Sequence, residues 1–136
     1  MSRNWEEAKK KMLQRRNQMM QILSSREKLL EVIRDEGLCS EFLTVSETDD
    51  GGLLACDNFR HLQLWMRQQD DGSVALAWGE EGRPVSRREV YDDPSRGYYE
   101  FFMELQSSKN MLEEVRAEAD RRGQRFRDLP GRFFKA

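Results

Sequence analysis

Hydrophobic positions recur with two periods along this chain, and the change of period marks its parts. Over residues 4–36 they fall at Trp5, Ala8, Met12, Met19, Ile22, Leu23, Leu29, Leu30 and Ile33, the three-and-four spacing of a helical stripe. That stretch holds no proline and no glycine and is rich in Glu, Lys, Gln, Arg, Met and Leu, all good helix formers. Asn4 is placed to cap it, Glu6 and Glu7 suit its positive end, and Gly37 is a natural stop. The pattern predicts one helix over 4–36. Arg15 and Arg26 fall on the stripe and interrupt it, which argues against a pure coiled-coil seam.

From residue 38 the period drops to two. Leu62, Leu64 and Met66 alternate, as do Val74, Leu76 and Trp78. Strands are expected at 41–48, 53–57, 61–69, 73–79 and 84–91. Asp49-Asp50-Gly51-Gly52, Asp70-Asp71-Gly72 and Glu80-Glu81-Gly82 supply the turns of an antiparallel meander. Trp65 points opposite to Leu64 and Met66, so the sheet offers apolar surface on both faces. Arg87 and Arg88 make the last strand polar, as suits an edge.

The helical period returns after Asp93-Pro94, a cap followed by a first-turn proline. A helix is predicted over 95–122 on Tyr98, Phe101, Phe102, Leu105, Leu112, Val115 and Ala119, closed by Gly123. Residues 124–136 carry no period and read as an extended basic and aromatic arm. The expected fold class is α+β: a long N-terminal helix, an antiparallel β-meander of four to five strands (41–91), a C-terminal helix and the arm. Residues 1–123 form the expected single domain, a normal size for one core.

Length then raises a question of packing. A rod of 33 residues spans roughly 50 Å. A globule of this size is about 35–40 Å across. The stripe therefore outruns the body, and a second copy is the natural shelter, C2 pairing being the commonest symmetry. The competing reading is a kink at Ser24-Ser25 that folds both halves onto one sheet. The interface expected from this reasoning comprises Trp5, Met12, Met19, Ile22, Leu23 and Leu30, with Trp65 on the sheet and Phe133 and Phe134 on the arm.

Charge is unevenly distributed. Of the 136 residues 35 % are charged, yet the formal net charge is only −2, so no global field draws the chain to nucleic acid or membrane. Locally the balance is +3 over 1–37, −7 over 38–95, −2 over 96–119 and +4 over 120–136. Basic ends flank an acidic middle, a pattern suited to charge-guided contacts. Lys9, Lys10, Lys11, Arg15 and Arg16 lie on the first helix, and Arg121, Arg122, Arg125, Arg127, Arg132 and Lys135 are interleaved with Phe126, Phe133 and Phe134. Cations for phosphates beside rings for bases make single-stranded nucleic acid the alternative partner. No RRM, KH or double-stranded-RNA-binding motif accompanies them.

No catalytic constellation stands out. His61 is the only histidine, and Cys39 and Cys56 carry no nucleophile signature, so a partly buried histidine and small core cysteines are expected. These three make no zinc set without a C-x-x-C pair. The acidic pairs Asp49/Asp50, Asp70/Asp71, Glu80/Glu81 and Asp92/Asp93 sit beside Gly or Pro, where turn and cap chemistry accounts for them. Gly79 and Gly82 enclose two glutamates, which repel phosphate. The expectation is a non-enzymatic interaction protein: an adaptor, small chaperone, inhibitor or assembly subunit. No cofactor, metal or small-molecule substrate is expected. Two cysteines are too few for a disulfide framework, and neither a signal-peptide pattern nor an 18-residue apolar run is present. An intracellular, cytoplasmic location follows as the expectation.

Overall fold

The computed structural model describes residues 2–123. It holds helix α1 (Ser2–Ile22), helix α2 (Arg26–Asp35), strands β1 (Leu43–Glu47), β2 (Leu53–Asp57), β3 (Leu62–Gln68), β4 (Val74–Glu80) and β5 (Arg87–Tyr91), and helix α3 (Pro94–Arg121). This is the α+β arrangement expected, and the strands fall within a few residues of their predicted places. The arm lies outside the described residues.

The first helix departs from expectation. The run 4–36 is two helices, interrupted at Leu23–Ser25. Ser25 takes extended backbone angles, φ −153° and ψ 166°, and its hydroxyl accepts from the Lys28 amide at 3.1 Å. It is the N-cap of a new helix. Serine favours such local bonds over the helix interior, and here that preference wins over the good helix formers around it. Leu23 is fully buried at the break. α1 is therefore about 31 Å long and α2 about 15 Å, and the argument from one 50 Å rod falls.

α2 stops where the sequence says it should. Gly37 adopts φ +61°, open to glycine at little cost, and its amide reaches Arg34 O at 3.0 Å. The Leu38 amide reaches Ile33 O at 3.1 Å, and both side chains join the core. That is the Schellman ending with its apolar contact.

The five strands form one antiparallel sheet in chain order. Pairing aligns Val45, Ala55, Leu64 and Trp78 on the inner face, next to a row of Leu53, Met66 and Leu76. α3 crosses this face, contacting β1, β3, β4 and β5. Tyr98, Phe101, Phe102 and Leu105 of α3 and Leu29 and Ile33 of α2 complete the core. α3 starts as predicted: the Asp93 carboxylate accepts from the Ser95 amide at 3.1 Å, and Pro94 takes the first helical position.

α3 comes close to β4 at Gly97. A Cβ there would stand 2.6 Å from Val74 Cβ and from Val74 Cγ1. Gly97→Ala is expected to destabilise the fold by roughly 1–3 kcal/mol through overpacking, less any gain in helix propensity. Urea unfolding followed by far-UV circular dichroism checks this, and Val74→Ala in the same chain should recover part of the loss.

Candidate interaction surfaces

α1 carries its apolar stripe from the core into solvent. At 100° per residue Trp5, Met12, Met19 and Leu23 lie within about 40° of one another around the axis. Leu23 is 0 % exposed and Met19 packs partly on the core, whereas Met12 is 70 % and Trp5 68 % exposed. α1 meets α3, yet every residue from Asn4 to Gln18 is exposed. Leu13 and Ile22 are exposed as well. Of the expected interface residues, Trp5, Met12 and Ile22 are available for contact. Leu23 is not: the helix ends there and its last turn enters the core. Leu30 is half-buried on that same core, as Met19 is.

The outer face of the sheet is the second apolar surface. Pairing sets Ser46, Leu54, Trp65, Ala77 and Arg88 in one row, with Arg67, Ala75 and Val90 in the next. Trp65 thus lies opposite to the core, as alternation predicts. Beside it the small side chains of Ala75 and Ala77 leave a groove of about 660 Å³, which Val85, Asp49 and Asp50 also border. The β4–β5 loop leans on this face: a Cβ at Gly79 would come within 3.4 Å of Trp65 and 3.6 Å of Val85 Cα. Val85 and Val90 are about half exposed. Arg67 lies 3.7 Å from Asp50 at the rim. Arg88 is exposed and makes no ion pair among the described residues.

The meander gathers the aspartate pairs at one end of the sheet. The β1–β2 turn, the β3–β4 turn and the end of β5 lie on that side and carry Asp49/Asp50, Asp70/Asp71 and Asp92/Asp93. One of each pair shapes the backbone. The Asp50 carboxylate accepts from the Thr48 hydroxyl and from the Gly52 amide, which hold it below the usual carboxylate range. The Ser73 hydroxyl at 2.5 Å and amide at 2.9 Å do the same for Asp71. Both carboxylates stay ionised, so this end keeps its negative charge.

At the opposite end Glu80 lies 3.5 Å from Arg83, and Glu81 3.2 Å from His61. His61 is neither on a strand nor partly buried. It sits exposed in the β2–β3 turn at φ +60°. The cysteines are not core residues either: Cys39 is exposed and Cys56 half-buried on the outer face.

One polar cluster is built into the interior. The buried Asp57 carboxylate accepts from the Phe59 amide at 3.1 Å, the Arg60 amide at 2.9 Å and Arg60 Nε at 2.6 Å. Arg60 Nη2 then donates to Ser108 Oγ at 3.1 Å. This bracket ties the β2–β3 turn to α3. A cavity of about 150 Å³ adjoins it, lined also by Trp78, Glu104 and Ser107. Trp78 bears the Arg87 guanidinium on its ring at 4.2 Å. Arg87 in turn bonds Glu89 at 2.6 Å, and the Tyr91 hydroxyl donates to Glu89 at 2.5 Å.

The basic residues divide between free and engaged. Lys9, Lys10, Lys11, Arg15 and Arg16 are exposed, and none makes an ion pair among the described residues. Arg121 and Arg122 both pair with Glu118. Arg125, Phe126, Arg127, Arg132, Phe133, Phe134 and Lys135 lie outside the described residues. Sequence reading missed Leu13, Val85 and Val90, whose only signal is an apolar side chain outside the dominant stripe. No helix among the described residues is long and apolar enough to cross a membrane. Comparison with protein-family models, curated proteins and solved structures finds no match.

Tyr91 gives the inner face a pH signature. Burial, then its bond to Glu89, pushes the phenol up to about 12. The folded state thus favours the neutral phenol more than the unfolded chain does. That contribution is complete below the ordinary tyrosine pKa near 10 and is lost as pH rises toward 12. Stability measured by urea unfolding should fall across that window, and Tyr91→Phe should make the fall shallower.

Proposed function

We propose that this chain is a non-enzymatic interaction module that associates with itself through α1. The observation that carries this reading is the unbroken exposure of Asn4–Gln18 in a helix whose apolar stripe continues from the core. A helix of about 15 residues is marginal in water without tertiary contacts. Covering Trp5 or Met12 is worth roughly 1.5–3 kcal/mol each. A seven-residue spacing links Trp5, Met12 and Met19, and the same spacing links Ala8, Arg15 and Ile22. One face of α1 is thus suited to a long, straight contact. A second copy is the economical partner, since each copy brings the same exposed face. Adaptor, small chaperone, inhibitor and assembly-subunit roles all fit such a device, in an intracellular setting.

Sedimentation velocity in the micromolar range should show a dimer. Met12→Glu should shift it to monomer while far-UV circular dichroism keeps the sheet and α3 signal. A monomeric parent chain would remove the reading.

A second reading rests on Lys9, Lys10, Lys11, Arg15 and Arg16, exposed and without carboxylate partners among the described residues. Together with the basic and aromatic residues of 124–136 they suit a single-stranded nucleic acid. Fluorescence anisotropy with labelled single strands should then show binding at about 50 mM salt that weakens steeply by about 200 mM. Removal of residues 124–136 should weaken it further. A flat isotherm at the lower salt eliminates this reading.

A further inference from the structure

We infer that the cavity between the inner face of the sheet and α3, beside the Asp57–Arg60 bracket, binds a small uncharged amide, a compact molecule with a carbonyl oxygen next to an N–H. The site is separate from α1 and stands whether or not the chain associates with itself.

Unmatched hydrogen-bonding groups of both kinds border this cavity. Trp78 lines it, and the Trp78 Nε1 is buried with no acceptor among the described residues. An indole N–H can only donate, and buried donors are nearly always satisfied. Arg60 adds a second donor: its Nε and Nη2 serve Asp57 and Ser108, while Nη1 makes no hydrogen bond among the described residues. The acceptor is Glu104 of α3. It lines the same cavity, half-buried, and its carboxylate makes no hydrogen bond or ion pair among the described residues. Arg87 feels the charge of Glu104 but is itself bonded to Glu89.

The rest of the lining sets size and character. Leu43, Ala55, Leu64 and Leu105 are buried and supply apolar walls. Ser107 is exposed and marks the side that opens to solvent. At about 150 Å³ the cavity suits a molecule of about the size of benzene, well short of a nucleotide.

Charge and hydrogen bonding then choose the class of ligand. Asp57 is balanced by Arg60, and Arg87 by Glu89, which leaves Glu104 as the net charge beside the cavity. A carboxylate or phosphate could accept from Trp78 but would meet Glu104 as a like charge. A primary ammonium would suit Glu104 but has nothing with which to accept from Trp78. A zwitterion answers both groups, yet it brings two full charges against the apolar walls at a desolvation cost. An amide answers both with no net charge. Its carbonyl accepts from Trp78, its N–H donates to Glu104, and its carbon skeleton lies against the leucines. A few placed polar groups within an apolar lining are the usual make-up of a small-molecule site.

Proton–nitrogen correlation NMR of the full chain tests this with γ-butyrolactam as the probe. The three tryptophans, Trp5, Trp65 and Trp78, give three indole N–H signals, and Trp78→Phe assigns one by deleting it. The lactam should move the Trp78 signal saturably in the millimolar range and leave the Trp5 and Trp65 signals in place. Glu104→Leu should weaken binding at least about tenfold, the loss expected for a hydrogen bond to a charged group. The N-methyl lactam, which lacks the N–H, should show the same loss on the parent chain and no further loss on Glu104→Leu, because the N–H and the carboxylate are two halves of one bond. Should Glu104→Leu fail to give a folded spectrum, the comparison of the two lactams on the parent chain decides alone. A Trp78 signal that no probe moves means that the cavity takes water only, and overturns the inference. Equal binding of the two lactams, or tighter binding of cyclopentylamine than of the lactam, overturns it as well.

Discussion

Everything in this fold follows from one packing event, the seating of α3 on the inner face of the sheet. Tyr98, Phe101 and Leu105 are almost fully buried there against Leu53, Met66 and Leu76. Gly97 lets the helix backbone come close enough to Val74 for these rings to reach the sheet. α2 joins beside α3 and completes the layer. An antiparallel sheet is stable with one face packed and one face wet. The helices of this layer spend their apolar surface on one side, and Trp65 is left looking the other way.

Much of this was legible in the residues. Alternation marked β3 and β4, acidic-Gly turns separated β1 from β2, β3 from β4 and β4 from β5, and Asp93-Pro94 and Gly37 marked helix ends that the structure places within a residue or two. The break at Leu23–Ser25 was not legible in the same way. Ser24-Ser25 is a weak signal beside so many helix formers, and what decides the matter is tertiary: Leu23 enters the core while the Ser25 hydroxyl caps α2. The same limit placed Leu23, which the chain's own core covers, among interface residues. Helical periodicity tells which side chains share a face, but not whether the cover comes from the same chain. His61 was read as part of a strand because neither neighbour signals a turn. Its positive φ follows from the tight β2–β3 connection, which Asp57 organises by capping two amides.

The candidate surfaces were legible in halves. Trp5, Met12 and Trp65 declared themselves through spacing. The groove did not, because it depends on the β4–β5 loop bringing Val85 against Gly79 and on which small residues share a row with Trp65. The uneven charge along the sequence acquires a spatial meaning only once the meander gathers three aspartate pairs at one end.

The serine-capped break after Leu23 also divides the chain dynamically. Residues before it meet the body through α3 and Met19 and keep Asn4–Gln18 exposed, while α2, the sheet and α3 share one core. Opening of the leading segment therefore costs far less than global unfolding. Amide hydrogens of α1 in an isolated copy exchange with solvent through this cheap local opening, while those of β2, β3 and β4 wait for the whole core to come apart. Parting the leading helix from α3 is thus a smaller event than opening the core that carries it.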